Sequence, residues 1–326
     1  MHTAITSDAR LSSARDLLAS PTAGLALATL LWSGNFIVGR ALRYAIDPLD
    51  LNFWRWLIAV AVLLPFTARA LVQQWPVIRR HGVFVAALGL SGLAVPHACI
   101  YTALQTTTAL NALLLLNLAP LLVALGAYLL FGQRLHRGQW MGLGLAMAGA
   151  VTLIASGRIE TLLTLELRPG DLWMLPAVVG AAAHMLLLRN TPAQLTQAPL
   201  LAASALAALV WMLPLVLMRG IPPVPRDPVV IASLGYVGVL ASALAFWLWN
   251  RGVARIGPVR SAAYMFLMPV YAALLSSNFL DEAVQRHQVA GGALVLAGLW
   301  LARPRLASTP VPTVASLRPD TCGPRA

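Results

Sequence analysis

Polar side chains are scarce within the apolar stretches of this sequence, and the few present are the groups able to do chemistry there. Asn35, His97 and His184 lie inside long aliphatic runs, while Arg40, Arg55 and Arg189 stand near the ends of such runs. A polar group surrounded by hydrocarbon costs free energy, so each is a functional candidate by default. Histidine exchanges a proton near neutral pH, as a coupling group must. His97 follows Pro96, and proline inside a helix removes one backbone hydrogen bond and frees a carbonyl next to the ring. The competing reading for Asn35, His97 and His184 is a neutral group that hydrogen-bonds a neighbouring helix and only glues the packing. For Arg40 and Arg55 it is a side chain snorkelling from a helix end to the interface, set against an anion-binding role for Arg55.

The elements that must position these groups follow from composition. With 59% hydrophobic and 10% charged residues and a mean hydropathy of +0.76, the chain lies far from the roughly 25% charge of soluble domains. Runs long enough to span a hydrocarbon core of about 30 Å are Ala23–Leu42, Leu51–Ala68, Val83–Leu104, Ala109–Phe131 and Trp140–Ser156. The second half supplies Leu172–Leu188, Ala198–Met218, Val230–Trp249, Ala262–Leu280 and Val289–Ala302. The expectation is an all-α membrane protein of ten transmembrane helices.

The two halves are copies. Leu118-Ala119-Pro120, with Gln139, Gly142 and Gly149 after it, recurs 149 positions later as Leu267-Met268-Pro269, with Gln288, Gly291 and Gly298. The organisation expected is a cytoplasmic tail over 1–21, five-helix repeats over 22–156 and 171–302, and a disordered tail over 303–326. Five crossings bring the chain out on the far side, so the second copy starts inverted. Repeats of this kind mark transporters, with the path of a small-molecule solute between the halves. Under the same shift Asn35 corresponds to His184 and Arg40 to Arg189, so Asn35 and His184 are expected on opposite walls of that path. Pro120 and Pro269 are mates whose kinks would bend two symmetry-related helices around it. Gly144 and Ala148, matched by Ala293 and Ala297, read as small residues that let the fifth and tenth helices approach.

The 11 acidic residues all fall in tails, loops or helix ends, so a carboxylate relay or a buried counter-ion for lipophilic cations is not expected. If protons are coupled, His97 and His184 are the groups placed to do it; uncoupled export is equally allowed. Trp54, Trp56, Trp173 and Trp249 read as an interfacial aromatic belt, whereas Trp32, Tyr101, Trp247 and Tyr264 lie deeper and are candidates for a cavity wall. Cys99 and Cys322 are too far apart to form a framework. No metal cluster, phosphate loop or nucleotide motif is present, and no cofactor is expected. Gly89-Leu90-Ser91-Gly92 matches the short Gly-x-Ser-Gly of intramembrane serine proteases, which would need a histidine to activate Ser91. Gly89 has its repeat mate in Gly238, which favours packing.

The segments Leu31-Trp32-Ser33-Gly34-Asn35-Phe36, Phe53-Trp54-Arg55, Tyr101-Thr102-Ala103-Leu104, Asn117-Leu118-Ala119-Pro120 and Phe266-Leu267-Met268-Pro269 resemble the EamA-type members of the drug/metabolite transporter superfamily. The resemblance covers about residues 22 to 302. It implies a ten-helix carrier of the bacterial inner membrane that exports an amino acid or another small metabolite, with a nucleotide-sugar or other solute carrier as the alternative. The Gly-Glu that usually closes the fourth helix is Gly132-Gln133 here, while its mate Asp281-Glu282 keeps the acid.

The net charge of +12 does not signal nucleic acid, because no basic patch lies in a segment able to fold as a soluble domain. All 23 basic residues are arginine, and they concentrate in alternate loops: Arg69, Arg79 and Arg80; Arg134 and Arg137; Arg189; Arg251, Arg255 and Arg260; then Arg303 and Arg305. The positive-inside rule makes those loops, and both termini, cytoplasmic. A membrane-impermeant maleimide is therefore expected to reach Cys322 in inverted vesicles and not in intact spheroplasts; labelling in spheroplasts overturns the orientation.

Overall fold

The computed structural model describes residues 20–155, 168–279 and 285–302. The tails, Glu160, Glu166, Asp281, Glu282 and Cys322 lie outside the described residues. Secondary structure within the described residues is helical: α1 (Pro21–Ala41), α2 (Pro48–Arg80), α3 (Gly82–Thr106), α4 (Asn111–Phe131), α5 (Arg137–Ile154), α6 (Pro169–Leu188), α7 (Gln197–Arg219), α8 (Pro228–Ile256), α9 (Pro258–Leu275) and α10 (Arg286–Leu301). Eight are long and apolar enough to cross a membrane. The other two, α5 and α10, pack against each other. Large apolar side chains such as Leu129, Leu130, Val210, Leu217 and Trp300 point outward, as expected where the surroundings are lipid.

Helix starts follow local chemistry. Ser20, Asp47, Thr108 and Asp227 cap α1, α2, the helical turns leading into α4, and α8, and proline follows in three of these cases; its missing N–H is no loss in a first turn. Asp47 also pairs with Arg219 at the end of α7, at 2.9 Å. Burial opposes its charge, but hydrogen bonds from Arg219 and the Leu49 N–H outweigh that and hold the carboxyl below its usual range. Gly132 ends α4 with φ 62°, a left-handed conformation that glycine adopts without strain. α2 continues to Arg80, past the apolar run that ends at Ala68; its 33 residues reach about 50 Å, well beyond a core of about 30 Å.

The two copies interlock rather than sit side by side. α3 of the first packs on α6 and α7 of the second, and the mates α8, α1 and α2 pack in the reciprocal arrangement. The α5–α10 seam shows this atom by atom. A Cβ on Gly142 would lie 2.6 Å from Gly298 O, and one on Gly149 would lie 2.6 Å from Gly291 O. Gly291 and Gly298 are the repeat mates of Gly142 and Gly149, so each glycine meets the mate of the other, the reciprocity expected about a two-fold axis. With no apolar driving force between helices in lipid, such close backbone approach gains dispersion and weak polar contacts instead.

This corrects the small-residue face read from sequence. Gly144, Ala148, Ala293 and Ala297 are exposed, and nothing lies within 4 Å of a Cβ added to Gly144. Both faces carry small residues at close spacing, and only the partner helix chooses between them. Gly149→Leu is expected to lower the thermal unfolding midpoint in detergent, consistent with an overpacking cost of about 1–3 kcal/mol, whereas Gly144→Leu leaves it unchanged. Equal midpoints for the two variants would refute this seam.

Candidate functional site

The site is built on two wide helical turns. In α3 the Val95 N–H reaches Leu90 O and in α8 the Ala245 N–H reaches Leu240 O, five residues back rather than four. Each such π turn leaves a carbonyl without its ordinary helical partner. The turns span Gly89–Ala94 and Tyr236–Leu244, with the mates Gly89 and Gly238 inside them. A Cβ on Gly89 would strike Ser204 O of α7, and one on Gly238 would strike Ile58 of α2.

α2 lies between these turns and supplies side chains to both. Asn52, Arg55, Trp56 and Ala59 form a buried stripe at helical spacing. Asn52 Nδ2 donates to Ala94 O at 2.9 Å and Trp56 Nε1 to Leu93 O at 3.0 Å, both on α3. Arg55 turns the other way. Its Nε donates to Ser242 Oγ at 2.7 Å, Nη2 to Ala241 O at 3.2 Å, and Nη1 to Tyr101 OH at 2.8 Å. Tyr101 OH in turn donates to Asn35 Oδ1 at 2.7 Å. Ala241 O, left over by the wide turn of α8, also accepts Trp32 Nε1 at 3.0 Å.

Beyond Asn35 opens a cavity of about 60 Å³. Its wall takes Trp32, Asn35 and Phe36 from α1; Gly92, Pro96, His97 and Ile100 from α3; Ala181, His184 and Met185 from α6; and Phe246 and Trp249 from α8. These are repeat mates: Trp32 with Ala181, Asn35 with His184, Phe36 with Met185, His97 with Phe246, Ile100 with Trp249. The Phe246 ring is the hub, with centroids 5.0 Å from Trp32, 5.2 Å from Trp56, 5.5 Å from His97 and 6.1 Å from His184. Both histidine tautomers are fixed by carbonyls, which only accept. His97 Nδ1 donates to Leu93 O at 3.0 Å and His184 Nδ1 to Leu88 O at 3.3 Å, leaving each Nε2 as an acceptor. His184 Nε2 is buried without a partner.

Among the candidates read from sequence, Trp32, Asn35, His97 and His184 line this cavity, and Arg55 and Tyr101 stand directly behind Asn35. Pro120 is buried at the start of the second piece of α4, after a break at Asn117 and Leu118, and Pro269 lies just after a break at Tyr264–Phe266 in α9. Neither proline touches the cavity, nor do Trp247 and Tyr264. The snorkelling reading of Arg55 is overturned: it is 0% exposed, because α8 offers it acceptors two turns inside the helix. Trp56 and Trp249, read as belt residues, are 0% and 1% exposed. Phe246, and Met265 and Met268 of α9, also line the cavity and are not among the candidates read from sequence. Carrying His97 through the repeat shift lands on Phe246, so the signal for that residue was present.

Residues 22–155 and 168–303 each match the model of the EamA-like transporter family. The chain belongs to the EamA-like transporter family. It is a multi-pass membrane protein of the transporter class. An uncharacterized transporter of Archaeoglobus fulgidus is 29% identical over 85% of this chain and 95% of its own length. A Salmonella typhimurium protein named a probable amino-acid metabolite efflux pump is 24% identical over 84% and 92%. A solved crystal structure superposes with a TM-score of 0.69 over 87% of this chain and 96% of the other, at 23% identity, and shows the same fold.

For an EamA-like chain, the Gly89-Leu90-Ser91-Gly92 segment acquires a packing role. Ser91 Oγ donates to Ala87 O at 2.6 Å, and among the described residues no hydrogen bond joins it to His97 or His184, whose Nδ1 atoms are on Leu93 O and Leu88 O. Gly92 is the seat of the His184 ring, which a Cβ there would overlap. The position of the usual Gly-Glu acid is also accounted for: Gln133 Oε1 accepts from Arg189 Nη1 at 2.8 Å, joining the end of α4 to that of α6 at the rim of a second opening. Gly92→Ala is expected to abolish transport while the protein still inserts and folds, and to add no further loss in a His184→Ala background, where the ring is gone. Full transport by Gly92→Ala would refute this seating.

Proposed function

We propose that this chain is a secondary transporter that exports a small amphipathic metabolite, an amino acid or a related compound, by alternating access. Ten transmembrane spans form two inverted five-helix repeats over residues 22–156 and 171–302, and both termini lie on the cytoplasmic side of a bacterial inner membrane. The observation that carries this reading is a cavity lined by repeat mates from both copies, since an exchange of conformation between the copies would expose it to each side in turn. The reciprocal glycine seam between α5 and α10 supports the inversion. Its sidedness rests on the loop arginines, and the outward direction on the efflux role named for the Salmonella typhimurium relative.

A second opening of about 550 Å³, rimmed by Gln133, Leu188, Arg189, Val253 and Pro258, lies on the arginine-rich side. Leu188 and Val253 are one helical turn from the cavity residues His184 and Trp249, about 6 Å along each helix. Both are almost fully buried and act as the inner closure. The cavity offers about 60 Å³ of water-accessible space, against the roughly 10–15 Å³ that one water needs, and a solute of amino-acid size enters as the walls part.

The test is uptake and efflux of a labelled metabolite panel in proteoliposomes, with and without a pH gradient; a panel moved no faster than by empty liposomes overturns the reading. For the solute that is moved, Asn35→Ala and His184→Ala are expected to be non-additive in affinity by more than about 0.5 kcal/mol, the noise for independent sites. Strictly additive losses would assign both groups to packing.

A further inference from the structure

Among the described residues no carboxylate pairs with Arg55, a buried cation. It is 0% exposed and all three of its hydrogen-bond partners are neutral. The described acids are engaged elsewhere or lie at helix ends: Asp47 with Arg219, Asp171 with Thr107, Asp50 in the first turn of α2 and Asp227 at the N-cap of α8. A guanidinium stays charged, and a buried charge lacking its counter-charge is strongly unfavourable. The sign of what would relieve it is therefore fixed.

The guanidinium also sets the direction of the chain of hydrogen bonds leading away from it. It can only donate, so Tyr101 OH must accept from Arg55 and spend its single hydrogen on Asn35 Oδ1. Asn35 is thereby held with its carbonyl oxygen turned back and its Nδ2 hydrogens left for the cavity it lines. His97 and His184, held as Nδ1–H tautomers by Leu93 O and Leu88 O, line the same cavity, and Nε2 is the ring nitrogen each has left to accept with, that of His184 being buried without a partner in this conformation. The cavity thus combines a donor backed by positive charge with ring acceptors.

We propose that Arg55, acting through Tyr101 and Asn35, selects solutes bearing a carboxylate, which docks at Asn35 while an ammonium or other donor group of the same solute meets the histidine Nε2 atoms. This rests on the transport reading above and deepens it. Arg55 is a positioning residue: it orients Asn35 and supplies the field, with no contact to the solute required.

The experiment uses the full chain in proteoliposomes and a panel of L-amino acids, each with its methyl ester and its decarboxylated amine. Wild type is expected to prefer the free carboxylate by about tenfold or more, as for a site left with an unpaired charged donor by the wrong analogue. Arg55→Lys keeps most of that ratio. Arg55→Met, and Tyr101→Phe, which preserves the ring packing, bring it towards one through KM rather than through the maximal rate. The isosteric Asn35→Asp reduces carboxylate uptake below that of the amine. Wild type moving esters or amines as well as free acids overturns the proposal and leaves the transport reading intact, as does an unchanged ratio in folded Arg55→Met and Tyr101→Phe. Failure to move any panel member removes the transport reading and this proposal with it.

Discussion

A backbone carbonyl inside a lipid-embedded helix bundle has no bulk water to turn to, so every break in the helical ladder must be answered by a side chain. The wide turns of α3 and α8 overlap under the repeat shift, and side chains around the cavity donate to carbonyls in or beside them. Trp32 and Arg55 converge on Ala241 O. Trp56 and His97 converge on Leu93 O, and His184 crosses from α6 to Leu88 O. The groups that line or back the cavity are therefore the groups that repair the helices. Trp32, Trp56, His97 and His184 are oriented by backbone carbonyls, which are rigid acceptors, whereas Asn35 is oriented by the side chains of Tyr101 and, behind it, Arg55.

The duplication makes this economical in sequence but not symmetric in chemistry. Each copy contributes a wide turn, a small residue at the crossing and a broken helix before a proline, yet the groups at mated sites differ. Asn35 and its mate His184 line one cavity, as do His97 and its mate Phe246. Arg55 has its mate in Ser204, so the wide turn of α8 is held by a cation, whereas that of α3 takes neutral donors, Asn52 and Trp56 of α2. A shared scaffold thus holds different polar groups at mated positions of one cavity.

Sequence by itself determined the class, the helices and the duplication, because spanning a hydrocarbon core demands long apolar runs and a repeat preserves its spacing. It also marked Asn35, His97 and His184, since polar groups in such runs are costly. Tertiary structure alone decided which face of each helix is inside. Gly142 and Gly149 rather than Gly144 and Ala148 meet the partner helix, and Trp56, Trp249 and Arg55 are buried despite sitting near helix ends. Where every face of a helix is apolar, periodicity carries no inside or outside label. The wide turns were equally illegible, because a shift of one hydrogen-bond register leaves no residue signature, and with them went the carbonyls that fix the rings of His97 and His184 and draw Arg55 inward.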